Sequence, residues 1–131
     1  MNEILNLLFR ISKRYKKKEI IKNLSEISKG KVIYGLYKSL ILDTNSKFSG
    51  DLPSKLLGIY EEQVQKKIYE INKKKKIKYL VNFGAADGYH VIGLIKKKIF
   101  KKALAFEIDD IIRERLKINI KKNKLSSKIK V

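Results

Sequence analysis

The sequence predicts an α/β fold built around a parallel β-sheet, because two apolar runs are separated by a glycine-containing turn and a helical pattern. The first run, Tyr79 to Phe83, is β-branched and aromatic enough for a buried parallel strand. Gly84 and Gly88 follow, where the backbone can turn with positive φ or approach a ligand closely. The second run, Ala103 to Phe106, predicts the next strand. The unit therefore reads strand, turn, helix, strand.

Apolar residues at helical spacing follow each predicted strand. The first helix carries a continuous apolar face at Val91, Ile92, Leu94 and Ile95. Asp109 is predicted to cap a second helix, with Asp110 in its first turn, and that helix carries Ile112, Leu116 and Ile120. A third strand is expected to start near Lys128.

Residues 1–50 are predicted to form a helical and extended arm, and residues 51–131 the core domain. An amphipathic helix is predicted over residues 2–17 and continues to a C-cap at Gly30, with apolar positions at Ile4, Leu8, Ile11, Tyr15, Ile20, Leu24 and Ile27. This basic helix could lie on a membrane surface or bind a partner, but packing on the main domain is favoured.

The segment between this helix and the first strand contains the predicted boundary. Lys31 to Leu42 is expected to be extended, as a hairpin or an irregular arm, and Asp43 to Ser46 a turn. The boundary lies near Gly50 to Ser54, which contains the only proline. One helix is then predicted from about residue 55 to 73, with apolar positions at Leu57, Tyr60, Val64, Ile68 and Ile71.

An acid at the end of the second strand indicates a nucleotide site. Glu107 lies 23 residues after Gly84, and an acid at about this distance in a βαβ unit reaches ribose hydroxyls. A dinucleotide site would require a small residue where Tyr89 stands, so an NAD-dependent enzyme is disfavoured. The glycines could also be turn residues of any parallel α/β protein, and Glu107 a helix-flanking acid.

The small residues of the turn, Gly84-x-Ala86-x-Gly88, resemble motif I of class I S-adenosylmethionine-dependent methyltransferases, which have a Rossmann-like sheet. Ala105 to Asp109, with the helix residues after it, is similar to their second motif. Leu56 to Glu62 resembles a Leu-Gly-x-Tyr-Glu signature of the FkbM-like members. The resemblance covers roughly residues 50–131.

This resemblance implies an S-adenosylmethionine site formed by Asn82, Gly84, Ala86, Asp87, Gly88, Glu107 and Ile108. The small residues would form the loop under the methionine and ribose parts. Glu107 would accept hydrogen bonds from the ribose hydroxyls, and Ile108 would border the adenine. Asp87 would contact the cofactor or only fix the loop. Asn82 stands where the family often has an acid, so the charge facing the cofactor's amino group is lost.

Four further residues near these motifs receive no catalytic role. Tyr89 and His90 open the predicted helix and are candidates to border the cofactor. A solitary histidine at a helix start more often has no special role. Tyr60 and Glu61 are expected to be packing and surface residues. The catalytic residues are left unassigned.

The expected activity is methyl transfer to a small-molecule substrate, such as a sugar or another hydroxyl compound. A complete class I methyltransferase has a seven-stranded sheet, and this chain reaches only the third strand, so it is expected to be the N-terminal part of one. Its first strand would then have an unpaired apolar edge. Whether this part is itself an enzyme stays open, as does its oligomeric state.

The formal net charge of +19 supports an alternative, a non-enzymatic basic module that binds RNA or an anionic surface. The densest lysine runs, Lys73 to Lys76, Lys96 to Lys102 and Lys121 to Lys124, fall just before the predicted strands. They therefore lie at the sheet edge opposite the one where ligands of such folds bind. Nucleic acid is thus a less favoured partner. Polyanion binding would weaken steeply with salt, whereas binding of a small cofactor would not.

The absence of cysteine excludes disulfides and thiolate metal sites, and the single histidine excludes the usual histidine-rich metal clusters. A cytoplasmic location is the default expectation. No apolar run approaches the roughly 18 residues of a membrane span.

Overall fold

The computed structural model describes residues 3–45 and 50–131, except for the side chains of residues 3–12 and 14. The helices are α1 (Glu3–Ser28), α2 (Leu52–Leu57), α3 (Glu62–Lys75), α4 (Tyr89–Lys96) and α5 (Asp110–Lys122). The strands are β1 (Tyr79–Phe83), β2 (Lys102–Phe106) and β3 (Ile129–Lys130). The predicted mixed α/β architecture is confirmed for the part described.

The three strands form one parallel sheet in the order β1-β2-β3. Tyr79 pairs with Lys102 and Phe83 with Phe106, so β1 and β2 run in register over their full length. Both strands coincide with the predicted apolar runs to within one residue. Because β1 and β2 are parallel, their carboxyl ends meet at the same edge of the sheet.

One face of the sheet is covered and the other is not. Ala103, Ala105 and Ile129 point into the core and are buried. On the opposite face, Val81 is 52% exposed and Phe83 is 77% exposed. The prediction that the first strand is buried was therefore wrong for this face, because no described element packs on it.

Helix α4 fills the centre of the core, and six of its eight residues are buried: Tyr89, Val91, Ile92, Gly93, Leu94 and Ile95. It packs against β2 and β3. Gly93 permits this packing, because a Cβ atom there would stand 2.5 Å from the ring of Tyr37. The predicted apolar face of this helix is confirmed.

The prediction of one continuous N-terminal helix is confirmed by α1, which packs against α2. Among the side chains of α1 that the structure describes, Ile21 and Leu24 are partly buried against the core, whereas Ile27 is exposed and Tyr15 is 71% exposed. The side chains of Ile4, Leu8 and Ile11 lie outside the described part.

The segment after α1 is an irregular arm with one antiparallel bridge, between Lys31 and Ile41. Its residues Val32, Tyr37, Leu40 and Leu42 belong to the same core as α4. Two asparagines of α5 and its C-cap hold it in place: Asn119 Oδ1 accepts from Asp43 N at 2.7 Å, and Asn123 Oδ1 accepts from Ile41 N at 3.0 Å. Asp43 to Asn45 has no regular structure, and Ser46 lies outside the described residues.

The single helix predicted over about 55–73 is wrong, because two helices replace it. Gly58 ends α2 in the left-handed conformation, with φ +86°. A Cβ atom at Gly58 would stand 2.0 Å from the backbone oxygen of Tyr34, so only glycine fits beneath the arm. The chain then restarts α3 after Glu61.

Among the residues that the structure describes, no helix combines the length and the apolar character needed to cross a bilayer.

Candidate cofactor-binding site

The loop between β1 and α4 lies at the carboxyl edge of the sheet and has three left-handed residues, Gly84 (φ +67°), Ala86 (φ +48°) and Gly88 (φ +87°). Ala85 N donates to Phe106 O at 2.8 Å, which ties the loop to the end of β2. Gly88 N donates to Ala85 O at 2.9 Å and closes the turn. The loop is therefore fixed at both ends by backbone hydrogen bonds.

Glu107 joins this loop directly. Its Oε2 accepts from Ala86 N at 2.8 Å, and its Oε1 accepts from Asp109 N at 3.0 Å. Arg113 donates to the backbone oxygen of Glu107 at 2.9 Å. Each carboxylate oxygen can accept a further hydrogen bond. The structure thus brings together Glu107 and the loop, two parts that sequence spacing alone had paired.

The two glycines of the loop do different things. A Cβ atom added at Gly84 would meet nothing within 4 Å, so this position faces open space. A Cβ atom at Gly88 would stand 2.5 Å from Leu116 and 2.6 Å from Ile92. Gly88 therefore permits close packing of α4 and α5, whereas Gly84 leaves room for a ligand to approach the backbone.

A cleft of about 500 Å³ opens beside Gly84 and Glu107. This volume lies within the roughly 300–1,000 Å³ usual for small-molecule sites. Phe83 and Phe106 stack along it with ring centroids 5.0 Å apart and an angle of 11° between the rings. Ile108 borders the same cleft and is 95% exposed. The described lining of the cleft combines an apolar wall with the side chains of Glu107 and Arg113.

Asp87 is held away from this cleft. It is buried, and its Oδ2 accepts from Lys55 Nζ at 2.8 Å, while its Oδ1 accepts from Tyr89 N at 3.2 Å. Lys55 also reaches Asp51, at 2.9 Å. Burial alone would lower the pKa of Lys55, but the two carboxylates outweigh it and the net pKa is raised. Of the two roles considered for Asp87, its contacts fit the fixing of the loop.

Asn82 is half-buried on β1, and its Nδ2 donates weakly, at 3.3 Å, to the backbone oxygen of the next residue. This geometry leaves its amide available but places no charge at the start of the loop.

A cluster of aromatic rings supports the other side of the loop. The Tyr89 ring packs edge-on against Tyr37 and Tyr60, with centroids 5.2 and 5.6 Å away. Burial raises the pKa of Tyr89 to about 12 and raises the pKa of Tyr37 further. Both phenols therefore stay protonated at neutral pH and can donate hydrogen bonds.

His90 connects this cluster to a carboxylate. Its Nε2 lies 2.8 Å from Glu61 Oε2, and its Nδ1 lies 3.4 Å from Tyr37 Oη. Tyr60 packs as expected, but Glu61 is more than a surface residue because it pairs with His90 beside the loop. Glu61 and His90 are 29 positions apart in the sequence. The one sequence signal for Glu61 was the Tyr-Glu pair of the Leu-Gly-x-Tyr-Glu signature ahead of the first strand.

No protein-family model matches this chain, and no curated protein matches it. Assignment of the site therefore depends on the geometry described above.

Proposed function

We propose that this chain binds S-adenosylmethionine and belongs to a methyltransferase acting on a sugar or another small-molecule hydroxyl. The observation that carries the proposal is the hydrogen bond between Glu107 and Ala86 N. It joins an acid at the end of β2 to the small-residue loop after β1, beside an open cleft. This is the arrangement in which a nucleoside's ribose hydroxyls meet a carboxylate in βαβ units.

The Rossmann-like character of the fold is part of the proposal. Its support is a parallel sheet whose strands lie in chain order, each crossover containing a helix. The ligand of such a sheet binds outside the carboxyl ends of the strands, which is where Gly84 and Glu107 lie.

Each of three site residues would contact a different part of the cofactor. Glu107 would accept hydrogen bonds from the ribose hydroxyls, Ile108 would border the adenine, and the open side of Gly84 would admit close contact with the backbone. When bound, the cofactor supplies an electrophilic methyl group on its sulfonium. The contribution of the chain's own residues is to hold and orient that group, which accounts for much of the rate in such displacements.

Calorimetric titration with S-adenosylhomocysteine tests the proposal. We expect micromolar binding by the natural chain and a loss of about 10-fold or more in Glu107→Ala, the scale of a hydrogen bond to a charged group. Glu114→Ala is the matched control, because Glu114 is an exposed acid on α5 whose carboxylate pairs with Lys117 at 2.6 Å, one turn along the same helix. Circular dichroism establishes that each variant is folded.

No heat from a folded natural chain would overturn the proposal. The alternative of a basic module would then be tested by titration with RNA at several salt concentrations, where affinity should fall steeply with salt.

A further inference from the structure

We infer that Glu61, held by His90, is the binding group for the α-amino end of the cofactor. The inference deepens the proposed function and rests on it. It assigns a specificity-determining role to Glu61, which the sequence predicted to be a surface residue. It assigns a positioning role to His90, which was a candidate only to border the cofactor.

A cofactor with a free amino acid end needs an acceptor for its ammonium group, and charge-assisted hydrogen bonds are the strong ones. Asn82 is neutral. Asp87 carries a charge, but Lys55 at 2.8 Å and the N–H of Tyr89 already occupy its carboxylate, and it is buried. Of the acids described beside the loop and the start of α4, Glu61 is left with an accessible charge.

The position of Glu61 fits an amino-end acceptor. His90 is the second residue of α4, directly after the loop, and its Nε2 contacts Glu61 Oε2. Glu107 contacts the middle of the same loop through Ala86. One carboxylate thus contacts the loop and the other contacts the first turn of α4 directly after it, as a ligand with adenosine at one end and an amino acid at the other requires.

The carboxylate is oriented and still open. Tyr37, fully buried and protonated, can donate to His90 Nδ1, which leaves the Nε2 proton to be donated to Glu61 Oε2. The Tyr60 phenol also hydrogen-bonds the Glu61 carboxylate. The Glu61 side chain is nevertheless 47% exposed, and each carboxylate oxygen has two lone pairs, so it can still accept from a ligand. His90 acts here as a positioning residue.

The backbone at Glu61 carries strain. Its φ is +47°, a left-handed conformation that non-glycine residues rarely adopt. Such residues cluster at binding sites, where the surrounding structure imposes the conformation. Packing of Tyr60 against Tyr89, with ring centroids 5.6 Å apart, holds the preceding residue in place.

The test compares two ligands that differ in the amino acid end. S-adenosylhomocysteine carries the amino group, and methylthioadenosine has the same adenine and ribose without it. We expect Glu61→Gln to lower the affinity for S-adenosylhomocysteine about 10-fold or more and to leave the affinity for methylthioadenosine unchanged. Glu62→Gln, one residue on and paired with Lys66, should change neither.

Unchanged methylthioadenosine binding also shows that Glu61→Gln is folded. If Glu61→Gln lowers the affinity for both ligands equally, or for neither, the inference is overturned while the proposed function stands. A natural chain that binds neither ligand would overturn both.

Discussion

Tyr89 is the residue at which the core and the candidate site meet. Its ring is buried and packs against two other tyrosines, while its backbone N–H donates to Asp87 in the loop. In the sequence, Tyr89 disfavoured a dinucleotide site and was a candidate to border the cofactor. Its side chain instead makes the loop and the arm parts of one packed unit.

The buried phenol of Tyr89 predicts a loss of stability at alkaline pH. Its pKa is raised from 10.0 to about 12 by burial, so the folded state favours the protonated form. This contribution is fully present below pH 10 and is lost as the pH rises through about 12. We expect Tyr89→Phe, which has no proton to lose, to unfold at a higher pH than the natural chain.

Tyr79→Phe provides the control, because it removes the same hydroxyl from an exposed position on β1, outside the core. Denaturant unfolding followed by circular dichroism between about pH 8 and pH 12 measures the effect. Equal alkaline midpoints for the two variants would contradict the prediction.

At the scale of elements, three helices are followed by a lysine, and not a glycine, in the left-handed conformation. Lys76, Lys98 and Lys124 follow α3, α4 and α5 and have φ values of +52°, +59° and +57°. The left-handed residue after a helix is usually glycine, which has no Cβ to strain the backbone. Each lysine therefore carries a conformational cost, partly offset by its favourable charge at a helix C-terminus.

Replacing these lysines by glycine should stabilise the fold. We expect each of Lys76→Gly, Lys98→Gly and Lys124→Gly to raise the free energy of unfolding by about 0.5–1 kcal/mol. Lys97→Gly should lower it, because Lys97 has φ −81° and gains nothing from glycine there. Urea denaturation measures the changes. Destabilisation by all four substitutions would show that charge, not backbone strain, dominates at these ends.

The elements that could be predicted from sequence are those with a strong local pattern. β1, β2 and the α4 core face follow from apolar runs, and the cap at Asp109 is confirmed by its bond with Ile112 N at 2.9 Å. The break at Gly58 was missed because the apolar spacing from Leu57 to Ile71 continues through it. The glycine was the available signal, but its cause, the arm at Tyr34, is remote in sequence.

The site could be predicted only where spacing along the chain carries information. Glu107 follows from its distance to Gly84. The burial of Lys55 and Gln65 could not be predicted, because lysine and glutamine are ordinarily exposed and their partners become neighbours only in the fold. The His90–Glu61 pair was missed for the same reason.

At the scale of the whole molecule, charge and exposed apolar surface act against each other. Val81 and Leu104 are register partners on the open face of the sheet, and both are exposed. Apolar patches of this kind favour association. The net charge of +19 opposes association between copies, because like charges repel.

Salt should therefore promote self-association. We expect the sedimentation coefficient to rise as salt increases from about 0.01 M to about 1 M, where screening shortens the reach of charge to about 3 Å. Val81→Lys should suppress the rise. Ile111→Lys adds the same charge at an exposed position on α5, away from the sheet, and should not suppress the rise in the sedimentation coefficient. A natural chain whose sedimentation is independent of salt would contradict the prediction.

The asparagine contacts between α5 and the arm bear on the order in which the chain can fold. Ile41 and Asn123 are 82 positions apart. The Asn123 side chain accepts from Ile41 N and donates to Ile41 O. A contact of such separation forms late, because the entropy of closing the intervening loop is lost before the contact is gained. During synthesis the arm emerges 82 positions ahead of its partner Asn123. The arm therefore cannot adopt its final structure until α5 and its C-cap have been synthesised.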